Sequence, residues 1–319
     1  MKSRVLLLIT AVLAATFLLI FLISLPQTAQ AALWQEKVDP WVMTTVAAEG
    51  EVEFLLYLRE QADLSGADRL SIKEAKGEYV VAQLTAVAAR SQPPVIWELE
   101  KLGVAYRPYW IANMIWVRGD AAALAQMARQ PAVAHVYANP QVRLPETGPS
   151  LLEPKGITAV EWGVAKIGAP AVWSAGYTGQ SIVVGGQDTG YDWEHPALKS
   201  QYRGWNGAIA DHNYNWHDAI HDSDNSLCAK DSPFPCDDNS HGTHTMGTMV
   251  GDDGGSNQIG VAPGARWIGC RNMNAGSGTP ATYAECYQWF IAPTDLNGAN
   301  GNPALAPHVI NNSWSLPRF

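Results

Sequence analysis

The chain has 319 residues, a length that suggests about two domains, and its 47% apolar content supplies packed cores and speaks against global disorder. The formal net charge is −9, from 21 basic and 30 acidic residues, with no basic stripe, which speaks against nucleic acid as a partner. Lys2 and Arg4 precede an apolar run from Val5 to Leu25, and Pro26 and the triplet Ala29-Gln30-Ala31 follow it. A basic start, an apolar stretch and a small-residue site describe a signal peptide over 1–31, cut before Ala32. An uncleaved anchor is the alternative, because the run is long enough to cross a bilayer; it is the one route to a membrane partner. Either way the rest of the chain is secreted or extracellular, with the cell surface as a variant.

Residues 32–50 form an N-terminal extension, and 51–144 read as a small α+β unit. Val52–Leu58 is a strand and Lys76–Arg90 a helix, which Pro93-Pro94 interrupts before a second helical stretch through Leu102. Val104–Trp110 and Asn113–Arg118 follow as strands. Asp120 is placed to cap the helix Ala121–Arg129, and Val133–Tyr137 closes the unit. The order β-α-β-β-α-β is the split βαβ, ferredoxin-like pattern. No catalytic constellation lies here, and His135 reads as structural. Pro140, Pro145, Pro149 and Pro154 mark a linker, set at 145–160.

From 161 to 319 strands alternate with helices. Ser181–Gln187, Arg266–Asn272 and His308–Ser313 read as strands, His241–Val250 and Thr282–Ile291 as helices. That alternation predicts an α/β fold with a parallel sheet, whose working residues gather beyond the carboxyl ends of the strands. Asp188 stands there. The segment Tyr202–Asp238 reads as an insert with seven aspartates, a solvated acidic loop. Asp222-Ser-Asp224-Asn225 lacks the glycine and terminal glutamate of a calcium-binding EF-hand. Export permits disulfides; Cys228 with Cys236 and Cys270 with Cys286 is one of three possible pairings, and free buried thiols are the alternative.

Three patches carry the chemistry. They are Val183-Val184-Gly185-Gly186-Gln187-Asp188-Thr189-Gly190, Asn239-Ser240-His241-Gly242-Thr243-His244-Thr245-Met246-Gly247, and Gly260-Val261-Ala262-Pro263-Gly264-Ala265. A serine hydroxyl becomes a nucleophile only when a base takes its proton, and an imidazole held by a buried carboxylate is such a base. Asp188, with small neighbours, can aim a carboxylate into a crevice. His241 would open a helix capped by Ser240 or Asn239, with Gly242 and Gly247 allowing close packing. Taken alone, Asp188-Thr189-Gly190 is also a common turn, and a carboxylate dyad would need a second copy, which is absent. His241 and His244 at i,i+3 lack the glutamate of a zinc-binding HExxH motif, so no metal is assigned.

These patches resemble the subtilisin-like serine peptidases of family S8. Asn311-Asn312-Ser313-Trp314 in its tryptophan-rich stretch resembles the bacillopeptidase F-like branch. The resemblance implies a secreted serine endopeptidase precursor that hydrolyses polypeptide substrates by an Asp-His-Ser triad. Asp188 would orient His241, and His241 would act as general base and then acid. Residues 51–144 would be a propeptide, an intramolecular inhibitor and chaperone cleaved off between Pro140 and Trp162. Ser313 and Trp314 would line a substrate subsite, and His244 would pack behind the site. No cofactor is implied for catalysis; structural calcium near Asp252-Asp253 is possible within the family. The family's Gly-Thr-Ser motif is missing: the serines after His241 are Ser256, Ser277, Ser313 and Ser315. The expectation is a chain truncated inside its catalytic domain and itself inactive. Two other readings stay open: a secreted pseudoenzyme or inhibitor-like binding module, and a metal-dependent hydrolase using His241, His244 and the acidic insert.

Overall fold

A computed structural model describes residues 34–145, 160–222, 225 and 227–314. The signal segment, most of the linker, and Asp224 lie outside them. Among the described residues no helix is long and apolar enough to cross a membrane.

The N-terminal unit begins with α1 (Pro40–Glu49), β1 (Glu51–Leu58), α2 (Lys73–Ser91) and α3 (Pro93–Leu102). Then come β2 (Ala105–Tyr109), β3 (Met114–Asp120), α4 (Ala121–Ala128) and β4 (Val133–Ala138). The two prolines open α3 rather than interrupting a helix: a proline at the first position has no N–H to lose. Gly103, at φ 67°, ends it. Asp120 caps α4 as its position predicts, accepting from the N–H groups of Ala122 and Ala123 at 3.0 and 2.8 Å.

The sheet is antiparallel in the order β2-β3-β1-β4. Alternation along β1 sends Val52, Phe54, Leu56 and Leu58 into a core shared with Val95, Leu99, Leu124 and Met127 of the helices. Each such side chain contributes about 1.5–3 kcal/mol by leaving water. The segment read as an extension joins this core through Trp34, Val38, Val42 and Val46. His135 Nε2 meets Asp39 Oδ1 at 2.9 Å and ties that segment to β4, a structural role.

The second unit contains α5 (Trp162–Lys166), α6 (Ala169–Ser174), β6 (Val183–Asp188), β7 (Trp216–Asp218), α7 (His241–Val250), β8 (Arg266–Arg271), α8 (Pro280–Ile291) and β11 (Val309–Asn312). Its strands β11-β6-β8-β7 form an all-parallel sheet, the α/β class expected. On one face Met246 and Val250 of α7 pack with Tyr191, Trp216 and Trp267. On the other, Cys286, Trp289 and Phe290 of α8 pack on Ile268 and Cys270. A disulfide between Cys270 and Cys286 ties β8 to α8, and another joins Cys228 to Cys236.

The two units are in contact. Leu55, Tyr109, Met114 and Trp116, on the second face of the N-terminal sheet, cluster with Ala281 of α8. The short strand β5 (Val142–Arg143) pairs antiparallel with β10 (Ser277–Gly278), which pairs in turn with β9 (Met273–Asn274).

Candidate active site

The parallel strand β6 ends on Asp188, whose side chain is 1% exposed. Two glycines let the start of α7 come against that end. A Cβ on Gly242 would stand 2.1 Å from Gly190 O and 3.1 Å from Asp188 Cβ. A Cβ on Gly190, at φ +107°, would fall 1.8 Å from Cys236 O. The close approach brings His241 Nδ1 to 2.7 Å from Asp188 Oδ1. A carboxylate only accepts, so the imidazole proton sits on Nδ1 and the Nε2 lone pair is left for chemistry. His241 is partly open to solvent, its side chain 26% exposed.

Burial raises the Asp188 carboxyl. The His241 hydrogen bond and charge and the Thr189 N–H at 2.7 Å pull against that rise, and the nearby Asp237 charge adds to it. Asp237 is the neighbour of the Asp188–His241 pair that sequence reasoning missed. Ser240 does not cap α7: it sits at φ 68° and makes no side-chain cap. Asp237 does the work instead. Its Oδ1 accepts from Asn239 N at 3.0 Å and Ser240 N at 2.9 Å, and its Oδ2 from Thr243 N at 2.9 Å. It also takes the hydroxyl protons of Thr189 at 2.8 Å and Thr243 at 2.5 Å. A carboxylate at a helix N-terminus satisfies orphan donors and complements the dipole. Here it also fixes Thr189 beside Asp188. The usable signal was the aspartate four residues before His241, which the insert reading had assigned to solvent.

Beyond the strand ends a row of amides links the sheet. Asn272 Nδ2 donates to Gln187 Oε1 at 2.8 Å, and Gln187 Nε2 to Asn312 Oδ1 at 2.7 Å. Ser313 and Trp314 follow on from β11. Ser313 Oγ accepts from Asn311 Nδ2 at 2.8 Å. Trp314 stacks on Tyr283, centroids 3.9 Å apart at 15°. Val142 of β5 is buried against Met273 and Tyr283, with Leu144 and Trp314 packed alongside. Leu144 N donates to Gly276 O at 2.8 Å, extending the pairing of β5 with β10.

Residues 179–318 match the family model of the subtilases, peptidase family S8. The chain is 34% identical over 308 residues to bacillopeptidase F of Bacillus subtilis (strain 168), across 88% of this chain and 21% of that protein. This chain belongs to the subtilase family. It is 24% identical over 238 residues to subtilisin E of the same strain, across 72% of this chain and 54% of that protein. It is 32% identical over 138 residues to the strain's major intracellular serine protease, across 43% and 35% of the two chains. The chain thus spans about a fifth of bacillopeptidase F and about half of subtilisin E.

Three sequence expectations for this subtilase are corrected: the packing of His244, the need for Gly247 and the solvated insert. His244 does not pack behind the site; it is exposed, on the wall of a cavity of about 1260 Å³ shared with Trp162, His195 and Phe234. A Cβ on Gly247 would meet only Ile259 Cδ1 at 3.9 Å, so that glycine is not needed for close packing. The acidic insert is not a solvated loop throughout. Asp218 and Asp238, side chains 1% exposed, clasp the fully buried Arg271 at 3.1 and 2.6 Å. Arg271 lies opposite Asp188 in the β6–β8 register, so this ion triad anchors the insert beside the site. Asp252 and Asp253 each accept the N–H two residues on, at 2.8 Å, as turn formers. Among the described residues no three His, Cys, Asp or Glu side chains are grouped to hold a metal ion.

Proposed function

We propose that the complete protein is a secreted serine endopeptidase in which Asp188 orients His241 and His241 is general base and then general acid. The observation that carries this is the 2.7 Å contact between Asp188 Oδ1 and His241 Nδ1, with the imidazole partly open to solvent. The nucleophile would be the serine of the family's Gly-Thr-Ser motif, which these 319 residues do not contain. Polypeptides are the substrates. His241 Nε2 takes the serine hydroxyl proton as the oxygen attacks the peptide carbonyl, and Asp188 stabilises the imidazolium. The same nitrogen then hands the proton to the leaving amine.

Residues 51–144 act as the propeptide, exported behind the signal peptide 1–31. The pairing of β5 with β10 supports this, because a segment added as an extra strand beside Trp314 has the form in which extended peptides dock on a strand edge. Ser313 and Trp314 line that subsite, and cleavage falls between Pro140 and Trp162. Structural calcium, if bound at the turn 251–260, would have the buried Asn257 Oδ1, which has no hydrogen-bond partner, as one oxygen ligand.

The test is a polypeptide extended to include a Gly-Thr-Ser motif. Peptide hydrolysis blocked by a serine-directed phosphonate is expected. Asp188→Asn should lower kcat by about 10⁴-fold, by presenting the wrong tautomer. Inhibition by a zinc chelator alone, or a folded but inert extended protein, would overturn the reading.

A further inference from the structure

The N-terminal unit meets α8 through hydrogen bonds that cross between the units. The Tyr109 hydroxyl donates to Glu285 Oε2 at 3.2 Å. The N–H groups of Trp110 and Ile111 donate to Gln288 Oε1 at 2.6 and 3.2 Å, and Ala281 N donates to Asn139 Oδ1 at 2.9 Å. A further contact lies elsewhere, and the proposed chemistry does not use it. There α2 packs on a short turn, Pro303–Leu305, just before β11. Glycine is the poorest helix former after proline, yet Gly77 stands in the second turn of α2. A Cβ on it would come 3.1 Å from Pro303 Cβ and 3.5 Å from Pro303 O, so the bare position is what lets the helix come this close. Lys73 stands four residues earlier, on the same face of the helix. Its Nζ donates to Ala306 O at 2.6 Å.

The second unit shapes this turn from its own residues. Asn302 Oδ1 accepts from Ala304 N at 3.0 Å and starts the turn. Asn302 N donates to Pro293 O at 2.9 Å and closes the segment at its base. Arg203 Nη1 donates to Leu305 O at 2.8 Å, and Tyr214 N to Thr294 O at 2.8 Å, tying the segment to the insert. None of these partners comes from the N-terminal unit. A surface shaped before its partner arrives loses less freedom on binding.

We propose that residues 303–306 are a built docking surface for this chain's own N-terminal unit. The surface accepts a helix with a bare position against Pro303 and a cation one turn earlier, and rejects a helix that carries a side chain there. It therefore helps to select which N-terminal unit this subtilase unit holds. Its purpose, choice of the propeptide, rests on the propeptide reading; the contact itself does not depend on any peptidase activity.

The two halves of the contact work differently. Pro303 is a steric gauge: its ring and carbonyl leave no room for a larger residue at 77 unless α2 moves away. The Ala306 carbonyl is a polar gauge: it takes a charged donor, and an apolar side chain of the same length would leave it without that bond. Both gauges are read by one helix face, so a partner must satisfy them together.

Hydrogen exchange on the intact 319-residue protein tests this. The reporters are the amides of Trp110, Ile111 and Ala281, whose acceptors lie in the other unit. They open when the units part, so they sense every contact between the units, the distant turn included. Gly77→Leu should lower their protection roughly tenfold or more, the effect of an overfilled contact. Leucine is a good helix former, so the amides within α2 and those of Val52–Leu58 should hold. Lys73→Met keeps the apolar stem and removes the donor; it should lower the same reporters roughly threefold, and it decides the matter should the first variant misfold. Asn302→Ala frees the turn to yield, and in that background Gly77→Leu should cost severalfold less. Unchanged reporters in both Gly77→Leu and Lys73→Met would sink the docking surface. An equal cost of Gly77→Leu with and without Asn302 would also overturn it, since α2 would then be sensing something other than this turn. Failure of the extended enzyme to cleave peptides would leave these exchange readings standing and count only against the peptidase reading.

Discussion

At the scale of single residues, the site depends on how near a helix start can come to a strand end. Gly242 is the residue that sets this limit. Gly242→Ala puts a methyl 2.1 Å from a backbone oxygen that cannot move aside, and should destabilise the fold by about 3 kcal/mol or more, read as a drop in denaturant midpoint. Asp237→Ala strips three backbone N–H groups of their acceptor at the helix start. A lost cap costs about 1–2 kcal/mol. In the extended enzyme the same change should lower kcat more than it raises KM, because His241 is then held less firmly. A KM effect with kcat intact would show that Asp237 has no part in positioning the base. The Asp188 and His241 motifs were legible because a carboxylate at a strand end and an imidazole at a helix start are local patterns. Asp237 was not, because nothing in a run of aspartates says which one turns back on its own chain.

At the scale of elements, strands and helices follow the sequence patterns closely. Thr279 and Thr282 make a capping box that starts α8 two residues earlier than its apolar run suggests. Proline at its first turn fits for the reason that it fits at α3. The short strands β5, β9 and β10 escaped notice: two residues carry no period, and their partners are distant in sequence. Arg271 is one of the ties that make the insert behave as an element. Arg271→Met leaves Asp218 and Asp238 buried without their cation, and should cost about 3–5 kcal/mol. The triple replacement of the triad by apolar residues should restore most of that, by the same physics. A near-neutral effect of Arg271→Met in a chemical melt would show that water reaches the two carboxylates.

At the scale of the whole molecule, the N-terminal sheet is covered on both faces, by its own helices on one and by α8 on the other. Its second face therefore needs the subtilase unit. The carboxyl of Glu285 sits in that shared layer, held down at about 2 chiefly by His217 and His221 against the effect of burial. A depressed carboxylate stabilises above its ordinary 4.5 and loses that contribution as pH falls through about 2. Acid titration of the intact protein should thus loosen α8 before it melts β1–β4, seen as early loss of protection along α8. Simultaneous loss in both units would show that Glu285 is not the first group to give way.

Local chemistry alone determined the α/β class, the strands and helices with a clear period, and the Asp188 and His241 motifs, because hydrophobic period, caps and short motifs act over a few residues. The tertiary structure decided which aspartate caps the histidine helix, which two are buried on Arg271, that His244 faces outward, and that Glu285 collects two histidines and a tyrosine. Those facts depend on which side chains meet across hundreds of residues of chain, and on burial, which turns an ordinary surface charge into one that must find a partner.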